Sequence, residues 1–300
     1  MSQGISTPHS HDDAPGGPAG DALGRAAGMA RRWLDEVFSH LGAALLTAII
    51  LVVLGVVVSR YVFNASFSWT EEAGLWLFTY LIFVTLPIAT RRSRHIALNL
   101  AVDLLPPRGQ AVVAMLATAT ITYTIIRLLT AGIGIASLTS GTSITLGLPS
   151  WWQYAIIPAS AAALLACQVL EALEPGGDRR AGLLAIGLAI AAWLAIDVLE
   201  LVDIVSGSPT VLLGVAFVVT LLLGVPGAYC MLCAAFLASD AGDLLPPPAV
   251  VHNVVVGSSK FVLLAIPLFI AAAQVMNAGG LTVRLIALAR SLVGHLRGGL

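Results

Sequence analysis

Residues 183–205 read LLAIGLAIAAWLAIDVLELVDIV, an apolar run that stands between two otherwise different parts of the chain. A helix rises about 1.5 Å per residue, so a run of this length just covers a hydrocarbon core of about 30 Å. Arg179 and Arg180 precede the run, and acidic residues lie near its far end. We predict one membrane crossing here, residues 181–205, which reverses the orientation of the chain that follows.

The composition agrees with several crossings. Of the 300 residues, 58% are hydrophobic and 10% are charged, and the mean hydropathy is +0.94. A soluble domain of this length needs more charge to cover its surface, so we predict an all-α polytopic membrane protein. The net charge of -1 gives no indication of a nucleic-acid partner.

Residues 1–36 are predicted to form a disordered cytoplasmic tail and a basic lead-in. Residues 1–21 are rich in Gly, Pro, Ser, Asp and His, and they carry too little apolar surface to offset the entropy of ordering. No metal site is predicted at His9, His11, Asp12 and Asp13, because the surrounding glycines and prolines impose no geometry. The opening residues also lack the pattern of a signal peptide.

Four apolar runs indicate a four-helix unit over residues 37–175. They lie at about 41–62, 70–90, 111–138 and 151–173. Segments rich in Lys and Arg stay in the cytoplasm, so the basic lead-in and the cluster Arg91, Arg92 and Arg94 both indicate the inner side. We therefore predict a cytoplasmic N-terminus and four crossings that return the chain to the inner side. The amphipathic segment 95–104 is expected to lie along the inner interface.

A second membrane unit is predicted over residues 210–300. One run, about 210–237, is expected to cross once with a kink at Pro226. The run 261–276 either crosses fully or dips and returns. The charge rule does not decide between these, because a full crossing puts the basic residues of the amphipathic stretch 281–293 on the outer side.

The start of the second run carries the candidate contact residues Trp69, Glu71 and Glu72. Ser68 and Glu71 have the spacing of a capping box, and acids favour the positive end of a helix. The alternative is that Trp69 and the two acids contact a partner protein or the second unit.

Arg91, Arg92 and His95 follow the end of the same run. They either anchor the topology and bind lipid head groups, at about 1 kcal/mol for each cation, or they form a salt bridge to another subunit. Both interpretations remain open at this point.

Arg127 lies about 24 Å into the third run by helical rise. A charge at such a depth snorkels towards the interface, or it pairs with an acid. Asp197 and Glu200 on the linking run lie at a similar depth and are its predicted partners. The three cysteines lie in apolar runs, and we predict no redox site, no metal site and no catalytic residues.

Two groups of motifs resemble the tripartite ATP-independent periplasmic (TRAP) transporter family. RYVFNASFSWTEEAGLWLF (60–78) followed by ATRRSRHIALNL (89–100) resembles the small four-helix membrane subunit. LLAIPLF (263–269), MNAGGLTVRLI (276–286) and GHLRGGL (294–300) resemble the start of the large transport subunit. A chain with both parts in this order is similar to the fused form of the family, in which an additional helix joins the subunits.

The resemblance implies a symporter of the bacterial inner membrane, with no enzymatic activity. In such a system a periplasmic binding protein delivers a small organic anion, commonly a C4-dicarboxylate, and sodium ions drive uptake through an elevator motion of the large subunit. Sodium is the coupling ion and no cofactor is implied. The substrate-binding residues are expected beyond Leu300, in the rest of the large permease subunit, so the chain is expected to be a fragment, a truncated reading frame or one piece of a split gene.

Two other classes of function stay open from the residues. The chain could be a structural or assembly subunit that braces a separate large permease subunit. A membrane-embedded enzyme would need ionisable residues clustered at one depth, and only Arg127, Asp197 and Glu200 approach that arrangement.

Overall fold

The computed structural model describes residues 18–65, 67–93, 106–173, 179–198, 208–242 and 245–293. Within these ranges the chain is helical apart from its connecting loops, which confirms the all-α prediction. The helices are α1 (Pro18–Val62), α2 (Trp69–Ser93), α3 (Pro107–Leu138), α4 (Trp151–Leu173), α5 (Arg179–Trp193), α6 (Pro209–Leu222), α7 (Gly227–Gly242), α8 (Pro247–Ser258), α9 (Phe261–Ala278) and α10 (Leu281–Val293). A π-helical turn, Leu194–Val198, continues α5.

Five helical segments in the described part of the chain are long and apolar enough to span a bilayer. They are Ala26–Val62, Trp69–Arg91, Pro107–Leu138, Trp151–Leu173 and Phe261–Ala278. The first four correspond to the four runs predicted for the four-helix unit, α1–α4. The fifth is 18 residues long and stays helical through Pro267, so by length and composition it fits a full crossing rather than a dip and return.

Helix α1 begins earlier than the sequence indicated. It starts at Pro18 and runs for 45 residues, about 68 Å, so the predicted disorder is wrong for residues 18–21 and the basic lead-in is helical. Residues 18–36 contain five alanines and three arginines, which favour helix, and Pro18 occupies the first turn, where proline is tolerated. Residues 1–17 lie outside the described part of the chain, as does the amphipathic segment predicted at 95–104.

The structure corrects the single crossing predicted for residues 210–237. Helix α6 ends at Leu222, and Gly224 adopts a φ of +74° in a tight turn that leads to Pro226. Helix α7 then packs back along α6, so that Leu213 and Ala238 line the same small cavity. A glycine with positive φ together with a proline that lacks an N–H breaks the helix instead of kinking it.

The hairpin of α6 and α7 leads to a topological prediction. A reporter tag inserted after Ser208 and one inserted after Gly242 are expected to label the same compartment, because the two helices run antiparallel. A single kinked crossing would place the tags in opposite compartments and would contradict the hairpin. A third tag after Arg180 tests the linking crossing, since it should label the compartment opposite to Ser208.

The linking helix α5 lies along α3. Near its start, a Cβ atom added to Gly182 would lie 3.0 Å from the Cβ atom of Ala172, at the end of α4. Further along, Ala185 and Ala189 are buried against Tyr123 and its neighbours on α3. Small residues allow this close approach of two helices in a membrane. The rest of the predicted linking run, residues 199–205, lies outside the described part of the chain.

Helix α3 is the central helix of the described structure. It packs against α4 on one side, and α5, α7 and α8 pack on its other faces. Ile125, Leu128 and Ile157 are almost completely buried in its main core, together with Phe236 of α7 and Val251 of α8. The same core therefore belongs to the four-helix unit and to the helices after the linking segment, which we call the second unit (α6–α10).

Candidate interface between the two membrane units

A buried ion pair joins the two units. Arg127 of α3 is 1% exposed, and its Nη2 atom donates hydrogen bonds to both carboxylate oxygens of Asp240 at 2.5 and 2.6 Å. The guanidinium carbon of Arg127 also lies 5.4 Å from the ring centroid of Phe236 on α7. The charge within the third span is therefore compensated by the second unit.

The partner that the structure shows is not one that the sequence indicated. Asp240 lies in the last turn of α7, three residues beyond the run of about 210–237 that was predicted to cross once. Because α7 turns back along α6 and also contacts α3, its last residues lie beside Arg127. The side chain of Asp197 and all of Glu200 lie outside the described residues, so the pairing of Arg127 with either of them stays a prediction.

Two hydroxyl contacts connect α2 to the second unit. The hydroxyl groups of Thr90 and Tyr229 lie 2.6 Å apart in a buried position, and those of Thr79 and Ser259 lie 3.3 Å apart. Within a bilayer such side-chain hydrogen bonds average about 0.6 kcal/mol. These hydrogen bonds therefore fix the relative orientation of the two units more than they stabilise their association.

Helix α4 contributes a third polar contact. The Tyr154 hydroxyl lies 2.9 Å from Nδ1 of His252 on α8, and the two rings are 5.9 Å apart and tilted. Next to it, the Tyr80 hydroxyl donates to the backbone oxygen of Trp152. None of these residues was a candidate from the sequence, because a single tyrosine, threonine or histidine in an apolar run does not show its partner.

The apolar part of the interface is closely packed at Gly134. A Cβ atom added there would lie 2.8 Å from Cγ of Pro248, so α8 rests directly on the backbone of α3. Val251 of the same helix is completely buried. Without a hydrophobic force between helices in lipid, such close packing supplies much of the association energy.

The opposite end of the four-helix unit carries ion pairs within the unit. Arg91 is hydrogen-bonded to Asp35, its Nε atom lies 3.4 Å from Glu171, and Arg31 lies 3.8 Å from the same carboxylate. These residues tie α1, α2 and α4 together at what we call the charged end. Arg91 therefore pairs within the chain. The side chain of Arg92 and all of His95 lie outside the described residues, so a partner contact through these two residues stays a prediction.

Glu72, one of the candidate contact residues, binds a loop of its own chain. Its carboxylate accepts hydrogen bonds from Thr145 and Ser143 in the loop 139–150 between α3 and α4. The loop is folded back on itself, since Ser143 N donates to Leu148 O at 2.8 Å and Gly141 O accepts from Ser150 N at 3.0 Å. A contact of Glu72 within the four-helix unit therefore accounts for this acid without an external partner.

Glu71 and Trp69 are placed differently from Glu72. Both are exposed, and Glu71 faces a cavity at the start of α2. The predicted capping box of Ser68 and Glu71 is not among the hydrogen bonds of the described residues; the Thr70 hydroxyl donates instead to the Phe67 carbonyl at 2.6 Å. A partner contact through Trp69 and Glu71 stays a prediction.

The contact of Glu72 gives a matched pair of tests. Changing Glu72 to alanine is expected to increase the motion of the loop 139–150, because Thr145 loses its acceptor. A spin label at the fully exposed Ile144 should show a sharper spectrum in the variant than in the wild type. Glu71→Ala removes the neighbouring charge but not the contact, and it should leave the spectrum unchanged. An equal change in both variants would contradict the assignment.

Metal chemistry receives no support from the described residues. Within them, no group of three or more His, Cys, Asp or Glu side chains could hold a metal ion. Cys167, Cys230 and Cys233 are buried free thiols. Their surroundings are those of packing residues inside helices.

Comparison with known proteins identifies both units. Residues 49–175 match the family model described as tripartite ATP-independent periplasmic transporters, DctQ component. Residues 214–300 match the model described as tripartite ATP-independent periplasmic transporter, DctM component. The two matches flank the linking helix.

Curated relatives cover both units in one alignment. The isethionate TRAP transporter permease protein DctMQ of Oleidesulfovibrio alaskensis is 32% identical over 281 residues, which are 89% of this chain and 43% of that protein. The sialic acid TRAP transporter permease protein of Haemophilus influenzae is 24% identical over 283 residues, 90% of this chain and 46% of that protein. A putative TRAP transporter small permease protein of Haemophilus influenzae is 43% identical over 63 residues, 21% of this chain and 38% of that protein. The chain spans less than half the length of the first two relatives.

Proposed function

The chain belongs to the tripartite ATP-independent periplasmic transporter family, as a small permease component fused to the first part of a large one, and on that premise we propose that it is the membrane component of a sodium-driven importer. Its cargo is a small organic anion, a C4-dicarboxylate or a related acid, delivered by a periplasmic binding protein. The relatives named for isethionate and sialic acid support this class, since both compounds are small organic acids. The family and the apolar helices agree with a multi-pass protein of the inner membrane.

The four-helix unit acts as a brace in this proposal. The observation that carries it is the buried pair of Arg127 and Asp240, which ties the central helix of the first unit to the hairpin of the second. An importer in which one part of the large component moves needs another part that stays fixed. The shared core and the buried ion pair attach the second unit to the four-helix unit in this way. The charged end of the bundle is assigned to the cytoplasm by the positive-inside rule.

Transport in proteoliposomes tests the proposal. The vesicles contain the chain with the rest of its large component, and they receive the binding protein and a radiolabelled dicarboxylate or sulfonate. Uptake is expected only with an inward sodium gradient and with the binding protein present. A potassium gradient of the same size is the control. Uptake that persists without sodium, or without the binding protein, would contradict the proposal.

A second candidate is a bracing subunit that does not transport by itself. It is favoured by the buried pair of Arg127 and Asp240, which holds the four-helix unit against the second unit. Such a subunit would copurify with a separate large permease component, yet it would show no uptake when given only the binding protein. Uptake by the chain and the binding protein alone would exclude it.

A further inference from the structure

A cavity of about 660 Å³ opens where the two units meet, at the end of the bundle opposite the charged end. Its volume lies in the range of about 300 to 1,000 Å³ that is typical of ligand sites. The wall is mostly apolar and comes from three helices. It includes Val53, Val56 and Val57 of α1, Gly74 of α2, and Phe261 and Leu264 of α9.

The mouth of the cavity carries one positive and one negative charge. Arg60, in the last turn of α1, and Glu71, in the first turn of α2, both line it and both are exposed. In the described part of the chain neither side chain forms an ion pair. The Ser59 hydroxyl donates to Ala65 O at 2.9 Å, so its proton is not available to the Glu71 carboxylate. The mouth is therefore equipped for a ligand that carries both charges.

The position of the mouth corresponds to the level of lipid head groups. The apolar run of α1 ends at Val62, and Tyr61 and Phe63 are exposed beside Arg60. Exposed aromatic residues at the end of a span mark the membrane interface. Arg60 is also a positive charge at the end opposite the basic clusters, where the charge bias does not account for it.

We infer that this cavity binds one phospholipid with a zwitterionic, primary-amine head group, phosphatidylethanolamine in chemical type. An acyl chain lies along the apolar wall of α1 and α9, the phosphate meets the Arg60 guanidinium, and the ammonium group meets the Glu71 carboxylate. A lipid with only an anionic head group leaves Glu71 opposed by negative charge. A choline head group has no N–H to donate to Glu71.

The lipid would connect the two units. Its chain fills space between α1 and α9, next to the small core cluster of Ile49 on α1, Phe78 on α2 and Leu264 on α9. This role is separate from transport, and its failure would leave the proposed importer untouched.

Lipid retention tests the inference without any transport assay. The full chain is purified in a mild detergent, and bound lipid is measured by native mass spectrometry and by chromatography of extracted lipid. We expect about one phosphatidylethanolamine for each chain, and at least a fivefold lower occupancy in Arg60→Gln and in Glu71→Gln. Arg284→Gln and Glu36→Gln change exposed charges on α10 and α1 and should retain the lipid as the wild type does.

Reloading of delipidated protein decides the head-group class. Phosphatidylethanolamine is expected to bind at least fivefold more tightly than phosphatidylglycerol or phosphatidylcholine in matched nanodiscs. Equal binding of phosphatidylglycerol, unchanged retention in Arg60→Gln, or a wild-type chain that carries no lipid would each overturn the inference. The last result would indicate that another protein segment or bulk lipid covers the cavity. Equal thermal unfolding of the variants shows that loss of lipid is not loss of fold.

Discussion

Changing Arg127 to methionine is expected to destabilise the folded chain by about 3 kcal/mol or more. The variant leaves the carboxylate of Asp240 without the guanidinium, at a site where the aspartate side chain is only 17% exposed. Removing one partner of a buried ion pair leaves an uncompensated charge, which costs more than the pair itself contributes. The contact with the Phe236 ring is lost in addition.

Equilibrium unfolding in mixed micelles measures this effect. The double variant Arg127→Met with Asp240→Leu is expected to recover to within about 1 kcal/mol of the wild type, since a well-packed apolar pair is often neutral. Arg284→Met, at an exposed arginine of α10, is the control. A double-mutant cycle with Asp197 should give a much smaller coupling than the cycle with Asp240. An Arg127→Met variant as stable as the control would contradict the pairing.

Changing Gly132 to leucine is expected to cost about 2 to 3 kcal/mol. A Cβ atom at this position would lie 3.1 Å from Cδ and 3.2 Å from the backbone N of Pro158, and 3.2 Å from Cγ2 of Ile157. A backbone atom and a proline ring cannot turn away by changing rotamer, so α3 and α4 must separate. Since α3 is the central helix, this separation disturbs both units.

Gly187 on α5 is the matched control for Gly132. No atom outside its own helix surroundings lies within 4 Å of a Cβ atom there. Gly187→Leu should therefore be neutral or slightly stabilising, because leucine favours helix over glycine by up to about 1 kcal/mol. The same unfolding assay compares the two variants. An equal loss of unfolding free energy at both positions would show that the close contact of α3 and α4 is not the reason why residue 132 must be small.

The contact residues of the interface show which contacts can be predicted from local sequence patterns and which cannot. Arg127 was recognisable as a residue in need of a partner, because a charge inside an apolar run is costly wherever the chain goes. Asp240 was not recognisable, because its depth depends on the turn at Gly224. The contacts of Thr90 with Tyr229 and of Tyr154 with His252 had no signal at all, since these side chains are common in spans and their partners are distant in sequence.

The class of the protein, the four spans of the first unit and the likeness of both units to one family could be predicted from the sequence alone. These features depend on the length and polarity of continuous segments and on local motifs, which can be read without knowing any long-range contact. Three features became evident only from the folded chain: residues 209–242 form a hairpin, Asp240 pairs with Arg127, and Glu72 binds its own loop. Such pairings depend on which helix surfaces meet. The conformation of the turn at Gly224 and Pro226 sets the direction of α7, and therefore which residues its side chains contact.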